Sequence, residues 1–197
     1  MVWNTNRAPI AGWTSLAEAG QLLTLVQGDQ VQLFSPEGKE TSGSALEEQA
    51  SETRTWEVEG PQGKRQWVGI CVPARNQVFY ARMLRSANGE WSWPRGFSLF
   101  LGSGVGQQAE EMIFPLSFAP GPDGRIYVLD AGNARIQVFD ALGKYLTQWG
   151  RKGSGEGDFD FGSGRVPEDF AGSVVVDGEG YIYVADVGNR RIQKFAP

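Results

Sequence analysis

Short apolar runs separated by turn residues dominate the C-terminal half of the chain. Ile126-Tyr-Val-Leu129, rich in β-branched and aromatic residues, reads as a strand. Asp130 to Arg135 reads as a turn, after which Ile136-Gln-Val-Phe139 alternates apolar with polar. A second reversal at Ala141-Leu-Gly143-Lys144 leads into Tyr145-Leu-Thr-Gln-Trp149, whose apolar positions again fall two apart. Upstream, Leu116-Ser-Phe118-Ala119 precedes the turn signal Asp123-Gly124. Together these predict four antiparallel strands in a meander, with no segment that has the 3.6-residue period of an amphipathic helix.

The unit returns. Asp130-Ala-Gly132-Asn133-Ala-Arg135-Ile136-Gln137-Val-Phe139 recurs as Asp186-Val-Gly188-Asn189-Arg-Arg191-Ile192-Gln193-Lys-Phe195, each position shifted by 56 residues. The echo extends to Ile126-Tyr127-Val128 and Ile182-Tyr183-Val184, so the repeated object is a whole supersecondary unit. Fainter copies lie upstream. Leu22 to Lys39 imitates Ile126 to Lys144, with Phe34 in the place of Phe139, and Gln77-Val-Phe-Tyr80 through Leu101 reads as part of another. The chain is expected to be one all-β domain over residues 1–197, built of four-stranded units near 12–41, 56–104, 111–150 and 166–197. The polar stretch Glu40 to Arg54 is either a flexible loop or one helical turn, and the Gly and Asp loop from Gly153 to Gly164 accounts for the long repeat spacing.

The core Tyr-Val, Asp, Gly-Asn, Arg-Ile and Phe in residues 111–197 resembles the NHL repeat family, with Ala134 and Arg190 standing where the family has its histidine. The resemblance implies a β-propeller, most often six-bladed, whose loops and faces bind proteins, RNA or small ligands. About four blades fit here, so a partial propeller is one expectation. Two completions are open. Met1 to Asn6, which resembles the strand at Leu146 to Trp149 in placing Trp3 after an apolar residue, closes the last blade; or another chain, or more of a longer protein, completes the array. A closed or nearly closed ring is the favoured expectation, since an open wedge leaves apolar faces wet.

Composition narrows the chemistry. Histidine is absent, which removes imidazole metal ligands, His-activated nucleophiles and the neutral-pH proton shuttle. The His-bound zinc of the amidating lyases related to this repeat is excluded with them. Net charge is −5, with no long run of Lys and Arg, so nucleic acid is not the expected partner. The single cysteine, Cys71, lies in an apolar run and reads as a buried inert thiol. No signal peptide or apolar stretch of membrane-spanning length is present, and the chain is expected to be soluble.

Candidate sites divide into repeated and unrepeated residues. Asp130 with Arg135, and Asp186 with Arg191, flank a turn and read as structural ion pairs, with Gly132-Asn133 and Gly188-Asn189 supplying its positive φ. Asn133 and Asn189 belong to the same structural set. Trp91-Ser-Trp93-Pro-Arg95 places two indoles on one strand face, suited either to core filling or to stacking a sugar or peptide while Arg95 reads a carboxylate. Glu156, Asp158 and Asp160 form either a solvated connector or an oxygen-ligand set for Ca²⁺, without the spacing of an EF-hand. The leading expectation is a non-catalytic scaffold without a cofactor that binds a protein partner, with a small molecule or glycan as further ligand classes. The alternatives are a Ca²⁺-dependent propeller hydrolase resembling the lactonases, and an RNA-binding module using Arg135, Arg151, Lys152, Arg190, Arg191 and Lys194.

Overall fold

A computed structural model describes the backbone of residues 13–15, 23–27, 30–34, 40–41, 50–60, 63–85, 87–89, 91–92 and 99–197, and the side chains of 50–57, 64–83, 87–89 and 100–197. Strands β1 (Trp13–Ser15), β2 (Leu23–Gln27), β3 (Gln30–Phe34) and β4 (Glu40–Thr41) form a first antiparallel sheet in sequence order. The second consists of β5 (Glu52–Gly60), β6 (Gly63–Val72), β7 (Gln77–Arg82) and, after a ribbon of β8 (Leu84–Arg85) and β9 (Trp91–Ser92), β10 (Leu99–Leu101). A short parallel pair, β11 (Gly104–Val105) and β12 (Glu111–Met112), leads into the third sheet. That sheet is β13 (Pro115–Pro120), β14 (Ile126–Asp130), β15 (Arg135–Phe139) and β16 (Tyr145–Trp149). The fourth has three described strands, β17 (Gly172–Val176), β18 (Ile182–Asp186) and β19 (Arg191–Phe195).

This is an all-β fold of propeller-type blades, each a meander of antiparallel strands. The two-residue period of β14 explains how one blade serves two neighbours. Ile126 and Val128 join Cys71, Val78, Tyr80, Leu101 and Phe118 in a core shared with the second sheet, and Phe139 of β15 joins them. Tyr127 and Leu129 point the other way, with Ile136 and Val138, into a core shared with Val174, Ile182 and Val184 of the fourth sheet. Because both faces are covered, every residue of β14 and β15 is buried. Trp56 and Trp67 stack at 6.3 Å beside the first of these cores, where Trp56 meets Phe118 edge-on.

Three sequence expectations change in detail. The turn between β14 and β15 takes its positive φ at Ala134 (51°), and the twin turn takes it at Arg190 (54°), rather than at the Gly-Asn pair. Gly132 is needed for close approach instead, since a Cβ there would lie 2.3 Å from Ile113 Cγ2. The polar stretch ending at Arg54 already enters β5 at Glu52, and residues 42–49 lie outside the described residues. The second sheet carries a third copy of the turn that the repeat pattern did not show, Pro73–Arg75 closed by Asn76 at φ 56°. There Val72 and Gln77 end and begin the strands as Asp130 and Arg135 do in the third sheet.

Candidate functional site

The repeated polar residues converge on one buried carboxylate per blade. Asp130, fully buried, ends β14, and Arg135, which begins β15 directly opposite, donates from Nε to Asp130 Oδ2 at 2.8 Å. Asn133 Nδ2 and Gln137 Nε2 donate to the same oxygen, while the Ile113 backbone N–H donates to Oδ1. Burial pushes the Asp130 carboxyl up, against the hydrogen bonds from Asn133, the Ile113 N–H and Arg135 that favour its charged form.

The outward-reaching atoms of this cluster hold the segment that enters the blade. Arg135 Nη1 donates to the Gln107 carbonyl, and Nη2 to those of Gln108 and Glu111, at 2.7–2.8 Å. Gln137 donates to the Glu111 carbonyl and accepts from the Glu110 N–H, and Asn133 donates to the Gly106 carbonyl. Carbonyls in an irregular loop beside the core would otherwise lack donors, which is why a five-donor guanidinium suits this position. The constellation is a clamp on the entry loop.

The second copy repeats the clamp contact by contact. Arg191 donates to Asp186 and to the carbonyls of Ser154, Gly155 and Asp158; Gln193 donates to Asp158 O and accepts from the Gly157 N–H; Asn189 donates to Gly153 O. Ile113 lies 17 residues before its Asp130, whereas Asp160 lies 26 before its Asp186, so nine extra residues separate clamp and blade in the second copy. The glycine-rich stretch from Gly153 is therefore the clamped entry loop itself. The insertion that lengthens the repeat lies after Asp160. Burial alone would raise Asp186, but hydrogen bonds from the Asp160 N–H, Asn189 and Arg191 win and hold it below the ordinary carboxylate range.

Of the proposed Ca²⁺ ligands, Asp158 faces Arg151 at 2.8 Å and Asp160 faces Lys152 at 2.5 Å, while Glu156 is exposed. The Lys152 ammonium also draws the Asp160 carboxyl down. Among the described residues no three acidic, Cys or His side chains gather as a metal site. Strand Trp91–Ser92 is described, but the Trp91 side chain, Trp93 and Arg95 lie outside the described residues. The cationic set named for RNA is largely engaged: Arg135 and Arg191 are in the clamps, and Arg151 and Lys152 are paired with Asp158 and Asp160. Cys71 is fully buried, donates to the Pro115 carbonyl at 3.1 Å, and has its thiol pushed up by that burial. Among the described residues no helix is long and apolar enough to cross a membrane.

What sequence reasoning missed is a cleft between the third and fourth sheets, about 490 Å³, lined by Tyr127, Val138, Thr147, Trp149, Ile182 and Phe195. These residues sit on different strands, and only the packing of two blades brings them together.

No curated protein matches the chain. Among solved structures, it resembles an auxiliary nutrient binding protein from Bacteroides thetaiotaomicron at 16% identity, covering 88% of this chain and 44% of that one, with a TM-score of 0.41. Regucalcin, a calcium-binding protein from Agrobacterium tumefaciens, matches at 16% identity over 91% of this chain and 54% of that one, with a TM-score of 0.36. A catalytically inactive virginiamycin B lyase from Staphylococcus aureus matches at 12% identity over 88% and 51%, with a TM-score of 0.34. The chain thus spans about half the length of these structures. Residues 113–139, from the clamped Ile113 through β15, match the family model of the NHL repeat, and this stretch is one such repeat.

Proposed function

We propose that this chain is a non-catalytic scaffold whose loops and blade faces bind a protein partner. The observation that carries this reading is the division of labour between repeated and unrepeated residues. The repeated Asp, Asn, Arg and Gln side chains direct their polar atoms at one another and at entry-loop carbonyls, which suits architecture rather than turnover. Large apolar side chains outside the repeated positions stand exposed, Val105 at 69% and Leu142 at 79%. Binding residues lie disproportionately on loops held by a rigid scaffold, and both side chains sit on connections between the blade strands.

The test is a photo-crosslinking amino acid placed in turn at Val105 and Leu142 of the full chain in its native host. A discrete protein adduct at one or both of these sites is expected. Absence of any adduct, together with Ca²⁺-dependent thermal stabilisation and hydrolysis of lactone substrates, would replace the scaffold reading with the hydrolase one.

A further inference from the structure

The insertion that sets the second copy apart lies between Asp160 and β17, and it forms a closed excursion from the blade. Its neck is fastened on both sides. Phe161 is buried in the core shared by the third and fourth sheets, Gly162 bridges Phe170, the Ala171 N–H donates to the Phe161 carbonyl at 2.7 Å, and Lys152 Nζ donates to the Gly162 carbonyl. Phe170 packs its ring against Phe114 at 5.6 Å. Beyond the neck the chain turns outward: Ser163, Gly164, Arg165 and Val166 are all exposed, Val166 by 48%. A tip of small and polar residues on a fixed base is a preferred place for proteolytic nicking.

Arg165 gives the tip its chemical address. Elsewhere in the third and fourth sheets the cations are engaged: Arg135 and Arg191 in the clamps, Arg125, Arg151 and Lys152 with carboxylates, Lys194 over Tyr181. Lys144 and Arg190 sit in pinned turns, Lys144 with its N–H on Asp140 Oδ1, Arg190 at φ 54° with its N–H on the Val187 carbonyl. Among the described residues Arg165 is bonded only through its backbone N–H, to Asp169 Oδ2 at 2.8 Å, so its guanidinium is free for the acidic specificity pocket of a trypsin-type serine protease. Val166, the next residue, is already extended at φ −130° and ψ 153°, as a substrate strand must be.

The surroundings of this bond also provide for the state after a cut. Asp169 Oδ2 accepts from the Val166 N–H at 3.3 Å as well. Hydrolysis breaks the C–N bond as water supplies a new C–O bond, leaving a carboxylate on Arg165 and both water hydrogens on the Val166 nitrogen, which is charged at neutral pH. A hydrogen bond to Asp169 thereby becomes an ion pair. The contacts that join the two pieces lie elsewhere: Asn189, Arg191 and Gln193 grip the carbonyls of Gly153 to Asp158, Asp186 takes the Asp160 N–H, and Leu129 and Ile136 share a core with Val174 and Val184.

We propose that the Arg165–Val166 peptide bond is a processing site for a serine protease of trypsin-type specificity, and that the cut chain stays assembled through the clamp of the fourth sheet, with the new Val166 ammonium held by Asp169. The site does not depend on the scaffold reading. Trypsin at low ratio in native buffer is the probe, with products read by mass spectrometry and native size exclusion. The bond after Arg165 is expected to be cut at least about tenfold faster than any other bond between residues 99 and 197, with peptide 166–197 co-eluting with the remainder until denaturant is added. Arg165→Gln is expected to remove that product at unchanged Tm. Asp169→Asn is expected to leave the bond cleavable and to lower the Tm of the cut chain more than that of the intact chain. Full chain purified from its native host with protease inhibitors present is expected to carry Val166 as a second N-terminus.

Earlier cutting after another basic residue in that range, release of peptide 166–197 in native buffer, or an equal Tm loss in cut and intact Asp169→Asn overturns the proposal. A wholly intact Arg165–Val166 bond in the host-purified chain overturns it equally, because the loop is then susceptible without being processed.

Discussion

Ile136 and Ile192 occupy the same position in two copies of one motif, 56 residues apart, yet Ile136 is fully buried and Ile192 is 73% exposed. The difference lies in the neighbour, since Ile136 packs into the core shared by the third and fourth sheets, whereas no described residue covers Ile192. Ile136→Ala is expected to cost about 2–5 kcal/mol by loss of burial and creation of a cavity, and Ile192→Ala less than about 0.5 kcal/mol. Urea denaturation of the two variants checks the contrast.

The clamp predicts a similar asymmetry. Removing the guanidinium in Arg135→Ala strands a fully buried carboxylate, for an expected cost of about 3–5 kcal/mol. Arg191 is 31% exposed against its buried Asp186, so water replaces part of what is lost and Arg191→Ala is expected to cost about 1–3 kcal/mol. Double-mutant cycles with Asp130→Asn and Asp186→Asn measure the coupling in each copy.

Two glycines separate contact from conformation. Gly132→Ala drives a methyl against Ile113, including its backbone oxygen at 2.8 Å, and is expected to cost about 1–3 kcal/mol or more while loosening the entry loop. Gly157→Ala meets nothing within 4 Å but sits at φ +76°, so its cost is conformational, about 1–2 kcal/mol. Thermal melts give the sizes, and hydrogen exchange at Gln107 to Met112 shows whether the first acts through the loop.

The pattern of the chain showed the blades because strand period, Asp-Gly turns and the 56-residue echo are all local signals. Asp130 and Arg135 were legible as a pair for the same reason, being adjacent across one turn. Their clamp on Gln107 to Glu111 was not, because the partners are backbone carbonyls, which leave no mark on residue identity. The turn at Pro73 to Asn76 escaped because Val72 and Gln77 replace the charged pair while the backbone keeps its shape. The cleft escaped because it belongs to a relation between two blades.

Acid should act on the fourth sheet first. Asp160 is held below the ordinary carboxylate range by Lys152; Asp186, and Asp177 with donors from Tyr181, Tyr183 and Glu179, are held down by hydrogen bonds that outweigh their burial. A lowered native value means a contribution present above the unfolded value of about 4 and lost as pH falls through the native one. Asp130 has the opposite sign: its raised value means a contribution present at low pH and lost as pH rises through that value. Amides of β17 to β19 are therefore expected to lose protection below about pH 4 before those of β13 to β16, as pH-stepped hydrogen exchange would record.

The central claim is that the two copies share one clamp and that, among the described residues, only β15 has a strand paired on its far side. Hydrogen exchange of the isolated chain at neutral pH, resolved to single amides, tests it most directly by comparing Arg135 to Phe139 with Arg191 to Phe195. The account predicts that the alternate amides of β19 facing away from β18 exchange at least about a hundredfold faster than their β15 counterparts. Equal protection of both strands in the free chain would contradict it.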